Sequence, residues 1–428
     1  KTEEGASDWD LALNDKQLSY AADDVLLLEK LYYLMVPILG DNNYKLDIAS
    51  LRLALLYQLN GLPIHEKNRK AAIRNAKSVL RKAQSPLPSD LNINSPKQLK
   101  EFFGTENANA QTLTDLVLIN GDERAQNVLD AKKYDKQLNY LEKFHHNRIF
   151  GIFIPSGAKS GRWTCKGSES FNIASQNLQQ LPRDLKSCIG VEDDRYLVDA
   201  DYPSLELYCM AAFAGGHGDE IMAQKLIDGV DLHKFSASGI YNIDIDKVDK
   251  KQRQIGKTAN FGLGFGGGVD MFKDFVKQMT KTIITVDEAA TIRNGWMKTY
   301  PQISEWHQRV KKEIYGDKSD YLIVHTALGR PMRANTLNDA LNLPIQGSGA
   351  ECTKLAIVYL NDVCPGARIV NTVHDSITLE CSSKEEAEEQ GKLLAGCMER
   401  GWEVVNNHMP IKIPMSVEYD VVKTLGEA

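Results

Sequence analysis

The stretch Arg368-Ile-Val-Asn-Thr-Val373-His374-Asp375-Ser376-Ile377-Thr-Leu-Glu-Cys381 decides the fold. Residues 368–373 and 377–381 are rich in β-branched side chains and are split by three polar residues, the pattern of a hairpin with a polar tip. A second strand-like run, Tyr196-Leu-Val-Asp-Ala-Asp201-Tyr202, lies far upstream, and residues 205–340 between the two read as one long helical block. A chain that inserts helices between two strand regions is predicted to be α+β with an antiparallel sheet, not a doubly wound parallel fold.

At 428 residues the chain has room for about three folding units. With 43% hydrophobic and 25% charged residues it can bury a real core, which excludes disordered and collagen-like classes. Lys and Arg number 51 against 57 Asp and Glu, a net charge of −6. That balance argues against polyanion binding by the whole surface but allows a basic groove. The longest apolar run, residues 25–40, is broken by Glu29, Lys30 and Pro37, well short of the ~20 residues a membrane span needs. Seven cysteines without a CxxC pair indicate neither a zinc site nor a disulfide scaffold, so a reducing compartment is expected. The first residue is Lys and no signal peptide follows, which reads as a processed or truncated chain.

Apolar residues at Leu18, Ala22, Val25, Leu28 and Leu31 predict a helix over 19–34 that ends before Pro37. A second helix over 66–82 sets Lys70, Arg74, Lys77 and Arg81 on one stripe, a pattern as common on a solvated face as on a binding one. Residues 85–96 read as a loop, 112–147 as helical, and 151–161 as a turn region.

Asp201 and Asp375 each stand where an apolar strand ends. A lone aspartate there is usually a turn former; a pair is a candidate metal site. Between them Asp249 is a candidate N-cap, and Arg253, Lys257, Phe261 and Phe265 recur every four residues, two cations and then two aromatic rings on one helix. Such a rod suits a nucleoside triphosphate, with cations gripping phosphate oxygens and a ring packing on sugar and base. The glycine run 262–268 follows a helical pattern rather than a strand, so it is not read as a dinucleotide loop.

Together these residues resemble the motifs of family A DNA polymerases, the DNA polymerase I family. Asp201-Tyr-Pro-Ser-Leu-Glu206 is similar to the first catalytic motif, Arg253-xxx-Lys257-xxx-Phe261-Gly262-xx-Phe265-Gly266 to the fingers helix, and Val373-His374-Asp375 to the third motif. Ser160-Gly161-Arg162, Asn177-Leu-Gln-Gln-Leu-Pro182, Asp231-Leu-His233, Asn342-Leu-Pro-Ile-Gln346, Asn60-Gly61 and Ser95-Pro-Lys-Gln-Leu resemble further family segments in the same order. The resemblance implies a right-hand fold, with a thumb at 46–150, a palm at 151–206 and 339–428, fingers at 207–338, and an exonuclease remnant at 1–45. It implies two Mg²⁺ ions on Asp201, Asp375 and the Tyr202 carbonyl. Arg253, Lys257 and His233 would clamp the triphosphate, Lys257 would protonate the leaving pyrophosphate, Phe261 would face the sugar and Phe265 the template base. Glu206 would fill the space of a ribose 2′-hydroxyl, which favours DNA synthesis over the RNA synthesis of the related single-subunit RNA polymerases. Arg162, Asn342 and Gln346 would read the minor groove, His374 would lie near the primer terminus, and Lys70, Arg74, Lys77 and Arg81 would grip duplex phosphates. The implied partners are primer-template DNA and dNTPs, for a monomer without membrane contact in a bacterial or phage-infected cytoplasm, an organelle being left open.

Two departures stand out. Most relatives carry Glu where this chain has Ser376, a loss for which Asp199 is the candidate compensation, and Tyr where it has Phe265. Trp9, Tyr20 and Asp24 resemble the last motif of a proofreading exonuclease whose upstream carboxylates have no counterpart here, so proofreading is expected to be absent. An RNase D-like nuclease and a non-catalytic DNA-binding relative are the rival readings.

Overall fold

The computed structural model describes residues 13–143, 147–167, 176–316 and 320–428. Its centre is a four-stranded sheet of β1 (Tyr196–Asp201), β2 (Ile369–Val373), β3 (Ser376–Cys381) and β4 (Glu418–Val422). The order is β4-β1-β3-β2 and every pair is antiparallel. The predicted α+β class with an antiparallel sheet is therefore what forms. Leu197, Val198 and Ala200 of β1 and Ile377 and Leu379 of β3 are buried, so this sheet is core-forming rather than a surface ribbon.

Four helices position the site on that sheet: α1 (Leu205–His217), α2 (Lys250–Leu263), α3 (Leu337–Val363) and α4 (Lys384–Asn406). The α3 and α4 axes pass unusually close because Gly401 has no side chain; a Cβ there would meet the Cys352 carbonyl at 2.7 Å. A second core, built on Leu99, Leu113, Ala125, Val128 and Ala131, joins the helices Glu66–Gln84, Pro96–Phe103, Ala110–Asn120 and Glu123–Glu142 into a separate helical unit.

The structure corrects several expectations. The first helix runs Asp15–Leu39, straight through Pro37, which costs one intrahelical bond in the final turn. Its stripe of Leu18, Val25, Leu28 and Leu31 is exposed, so helical spacing there does not mark a face packed within the described residues. The helical reading of 112–147 breaks at Gly121, whose φ of +64° forms a left-handed cap, and residues 144–146 lie outside the described set. The block 205–340 also contains a hairpin, Leu322–His325 with Pro331–Ala334. The expected boundaries at 45/46, 206/207 and 338/339 each fall inside a helix. Trp9 lies outside the described residues, while Tyr20 and Asp24 stand on the first helix. Among the described residues no helix is long and apolar enough to cross a membrane, and all seven cysteines are free.

Candidate active site

Antiparallel pairing brings the two aspartates together. β1 lies beside β3 with Asp201 opposite Ser376, and Asp375 sits in the two-residue turn between β2 and β3, where His374 takes a left-handed φ of +56°. The turn is held by the Ser376 hydroxyl, which donates to the Val373 carbonyl (3.2 Å). The Asp201 and Asp375 carboxyls come within hydrogen-bond reach of one another. Burial and then mutual repulsion push the Asp201 carboxyl well above its ordinary range. Burial also raises Asp375, with the Glu206 charge adding to it and Arg162 opposing it. Tyr202 is buried, and its hydroxyl donates to the Met398 carbonyl (2.7 Å), which pins the backbone directly after Asp201.

Asp199 does not complete a third ligand. It accepts from the Thr378 hydroxyl (2.8 Å) across the sheet, and among the described residues no group of three metal-binding side chains exists. The cation whose field reaches both Asp199 and Asp201 is Lys186, which sequence reasoning missed. The site is thus two adjacent like charges, Asp201 exposed and Asp375 half-buried, without a direct counterion, a donor set that is both suited to divalent cations and open to them.

Glu206 enters from the first turn of α1, and Arg162 donates to its carboxylate (2.5 Å). Expected to act separately, on DNA and on the sugar, the two are an ion pair here. Met210, one turn beyond Glu206 on the same face of α1, packs against Gly264 just past the end of α2, so the tip of the cationic-aromatic helix leans on the helix carrying Glu206.

On α2 the expected cap is present, with Asp249 and Gln252 forming a capping box. Arg253, Lys257 and Phe261 converge on His233: both cations act on its titration, and its ring lies 6.0 Å from that of Phe261. Asp231, which the sequence marks only as part of the His233 segment, caps the helix Leu232–Tyr241 and accepts from the Arg253 Nε (2.7 Å). Burial, then Arg253, lowers His233 to about 4, so it is neutral near pH 7. A buried relay sets its tautomer. Trp296 Nε1, which can only donate, and the Ser236 hydroxyl both bond to Asn260 Oδ1 (2.8 and 2.6 Å). That fixes Asn260 Nδ2 as the donor toward His233 Nδ1 (3.1 Å) and leaves the His233 proton on Nε2, free to donate to a ligand. No local motif could have revealed this, because the partners lie 27 and 36 residues from Asn260 in sequence.

Phe265 departs from the expected stripe: α2 ends at Leu263, and Phe265 follows it as a largely buried ring. The run of glycines that ends α2 gives the reason, since Gly266 takes a φ of +83°. On α3, Asn342 and Gln346 are half-exposed in an otherwise buried run, with the Gln346 amide donating to Asn342 Oδ1 (3.0 Å). Gly347 lets this face approach the Ser160-Gly161-Arg162 loop, because a Cβ there would lie 3.1 Å from the Ser160 carbonyl. Lys70, Arg74, Lys77 and Arg81 are exposed along one helix of the separate helical unit, outside the carboxylate cluster.

Comparison with known proteins agrees with this geometry. The family model described as DNA polymerase family A matches residues 64–427. The chain is 28% identical to DNA polymerase I of Aquifex aeolicus over 95% of its own length and 76% of that protein. It is 28% identical to DNA polymerase I of Deinococcus radiodurans, and 25% to a thermostable DNA polymerase I of Thermus thermophilus, spanning 30% and 41% of those longer proteins. The POL domain of Pol1 from M. smegmatis, solved in complex with DNA primer-template and dNTP, superposes with a TM-score of 0.74 at 22% identity over 89% of this chain and 70% of that one. With a family model covering most of its length, the chain belongs to DNA polymerase family A.

Proposed function

We propose that the chain is a template-directed DNA polymerase that adds dNTPs to a primer 3′ end. The observation that carries this is the meeting of Asp201 and Asp375 as adjacent, mutually repelling carboxylates beside Glu206 and Arg162. Asp201, Asp375 and the Tyr202 carbonyl would hold two Mg²⁺ ions, and the missing counterion of the pair supports that assignment. Bound there, such ions would supply Lewis-acid activation of the primer hydroxyl and neutralisation of triphosphate charge.

The remaining work falls to the chain's own residues. Arg253, Lys257 and the His233 Nε2 proton grip phosphate oxygens, and Lys257 supplies a proton to the leaving pyrophosphate. Phe261 packs on the sugar while Phe265 meets the template base. Glu206 occupies the space of a 2′-hydroxyl and so selects deoxynucleotides. Arg162, Asn342 and Gln346 meet the minor-groove acceptors that all correct pairs share, His374 lies near the primer terminus, and Lys70, Arg74, Lys77 and Arg81 add salt-dependent grip on the duplex. In this reading residues 46–150 are the thumb, 207–338 the fingers, and 151–206 with 339–428 the palm. The working form is a monomer in a reducing cytoplasm, with primer-template DNA as its partner.

Primer extension tests the proposal in one experiment. The wild-type chain is expected to extend a primer with dNTPs and Mg²⁺, to use rNTPs poorly, and to lose extension in Asp201→Ala. Equal extension with rNTPs would point to an RNA polymerase, and none at all to a non-catalytic relative.

A further inference from the structure

We infer that Asp47, on the helix Asp41–Asn60, is a positioning residue for Arg162, acting through an ionic cluster on which the loop leading to Arg162 is seated; the inference rests on the polymerase reading above. Strands Ile152–Ile154 and Thr164–Lys166 pair antiparallel, and residues 155–163 form the loop between them. The loop closes on itself, with the Ala158 N–H donating to the Arg162 carbonyl (3.2 Å) and the Gly161 N–H to the Ala158 carbonyl (2.9 Å). Arg162 therefore stands on a small folded unit, and whatever seats that unit aims its guanidinium at Glu206.

Three contacts seat it. At the start of the loop Ser156, with a left-handed φ of +57°, donates to Asp47 Oδ1 (3.1 Å) and accepts from Lys354 Nζ (2.6 Å). Near its end Gly161 lies against the stem of Arg330, where a Cβ would be 3.7 Å from Cδ and Nε. Between them Lys159 pairs with Asp339 in the first turn of α3 (2.7 Å). The first and second contacts belong to one cluster, because Asp47 accepts a two-pronged bond from Arg330 (2.8 and 2.9 Å) and another from Lys354 (2.9 Å). Asp47 is thus the acceptor that both seats share, although it lies on a helix far from Arg162 in sequence.

Stability alone is a poor reason for such a cluster. The side chains of Lys354 and Arg330 are 1% and 10% exposed. Burial lowers Lys354 and works against the Asp47 carboxylate, which Arg330 and Lys354 nonetheless hold below its usual range. Taking these charges out of water offsets most of their attraction, so well-packed apolar residues would hold the fold about as well. Direction is what apolar contacts lack. Charge-assisted bonds of fixed angle leave the loop one position, and a shift of about 1 Å in a group that meets the substrate can cost on the order of 100-fold in rate.

The test is a double-mutant cycle read by steady-state single-nucleotide primer extension. Ser156→Ala cuts the tie between loop and cluster and leaves the Asp47 ion pairs intact. It is expected to lower kcat/KM for the correct dNTP about 3- to 10-fold, and to have no further effect in an Arg162→Ala background, because the loss travels through that guanidinium. Asp47→Asn should show the same pattern with a larger loss; should it fail to fold, Ser156→Ala carries the test. A merely structural role would lower thermal stability and activity alike in both backgrounds. Equal losses in the two backgrounds, or no loss in Ser156→Ala, overturn the inference. So does an Arg162→Ala variant as active as the wild type, since the loop would then have nothing to aim. Failure of the wild type to extend any primer would instead overturn the polymerase reading itself.

Discussion

The central sheet holds a carboxylate site at each end, one buried and one open to solvent. At one, Glu380 of β3 is 2% exposed and meets Arg148, Arg195 and Arg368, with Arg368 Nε at 3.0 Å. Burial pushes its pKa up, but Arg148 first and then the other guanidiniums hold it below the ordinary value. At the other end, about 13 Å along β1 at 3.3 Å per residue, Asp201 is exposed and Asp375 half-buried, and the two, set against each other, are both raised. The exposure differs and the charge environment is opposite. A carboxylate enclosed by guanidiniums is a fastener: Arg148 also donates to the Asn60 and Gly61 carbonyls, tying the end of the helix Asp41–Asn60 to the sheet. Two like-charged carboxylates held against each other oppose the empty fold, and their retention makes sense when a ligand supplies the charge.

The largest effect that could break this contrast is on activity. Asp375→Asn should lower primer extension by on the order of 10³-fold or more with no loss of thermal stability, since it removes a ligand and a repulsion together. Glu380→Gln should do the reverse. It leaves three guanidiniums around a neutral amide, and because Arg195 and Arg368 are partly exposed the buried-pair cost of 3–5 kcal/mol falls to about 2–3 kcal/mol. Denaturant melts read that loss, and kcat of the folded fraction should stay near wild type. If Glu380→Gln abolishes catalysis at unchanged stability, the two ends are not different in kind.

Acid and base should separate the two ends with opposite signs. Glu380 has a depressed folded pKa, so its contribution is present above the unfolded value near ~4.3 and is lost as pH falls through the folded one. The Glu380→Gln penalty should therefore be full at pH 7 and shrink below about pH 4. Asp201 has a raised folded pKa, so stability declines as pH climbs from its unfolded value near ~3.9 through the folded one. In chelator, Asp201→Asn should melt higher than wild type at pH 8 and at the same temperature near pH 4. Added Mg²⁺ should close the pH 8 gap by stabilising the wild type alone.

Much of this contrast was legible before any coordinates. The strand that ends in Asp201 and the hairpin whose polar tip holds Asp375 announced themselves by strand propensity, and Asp249 by its place as an N-cap, although its box with Gln252 shows only in the fold. What escaped was long-range. Arg162 meets Glu206 44 residues away and Arg148 meets Glu380 232 residues away, distances at which no periodicity speaks. The hairpin at Leu322–His325 was hidden because its side chains alternate between half-buried and exposed, without the fully buried face that gives a strand its signal. The apolar stripe of the first helix shows the converse: spacing predicts a helix correctly and says nothing of what covers it.

The smallest effect concerns Glu206, which is intermediate between the two ends, because it lies beside the repelling aspartates yet holds one guanidinium, that of Arg162. Phe265 brings no hydroxyl to the Glu206 carboxylate, which is held by Arg162. Phe265→Tyr introduces a hydroxyl at a position 8% exposed, where burial obliges it to find an acceptor. If that acceptor is Glu206, the gate carboxylate becomes better oriented, and the ratio of kcat/KM for dNTP over rNTP should rise about 2- to 10-fold, the worth of one neutral-donor hydrogen bond to the gate. The gain should be larger in an Arg162→Ala background, where the phenol has no rival for the same oxygens. An unchanged ratio in both backgrounds would mean that the Arg162 pair alone does not set the gate, and that Glu206 is oriented by the first turn of α1 itself.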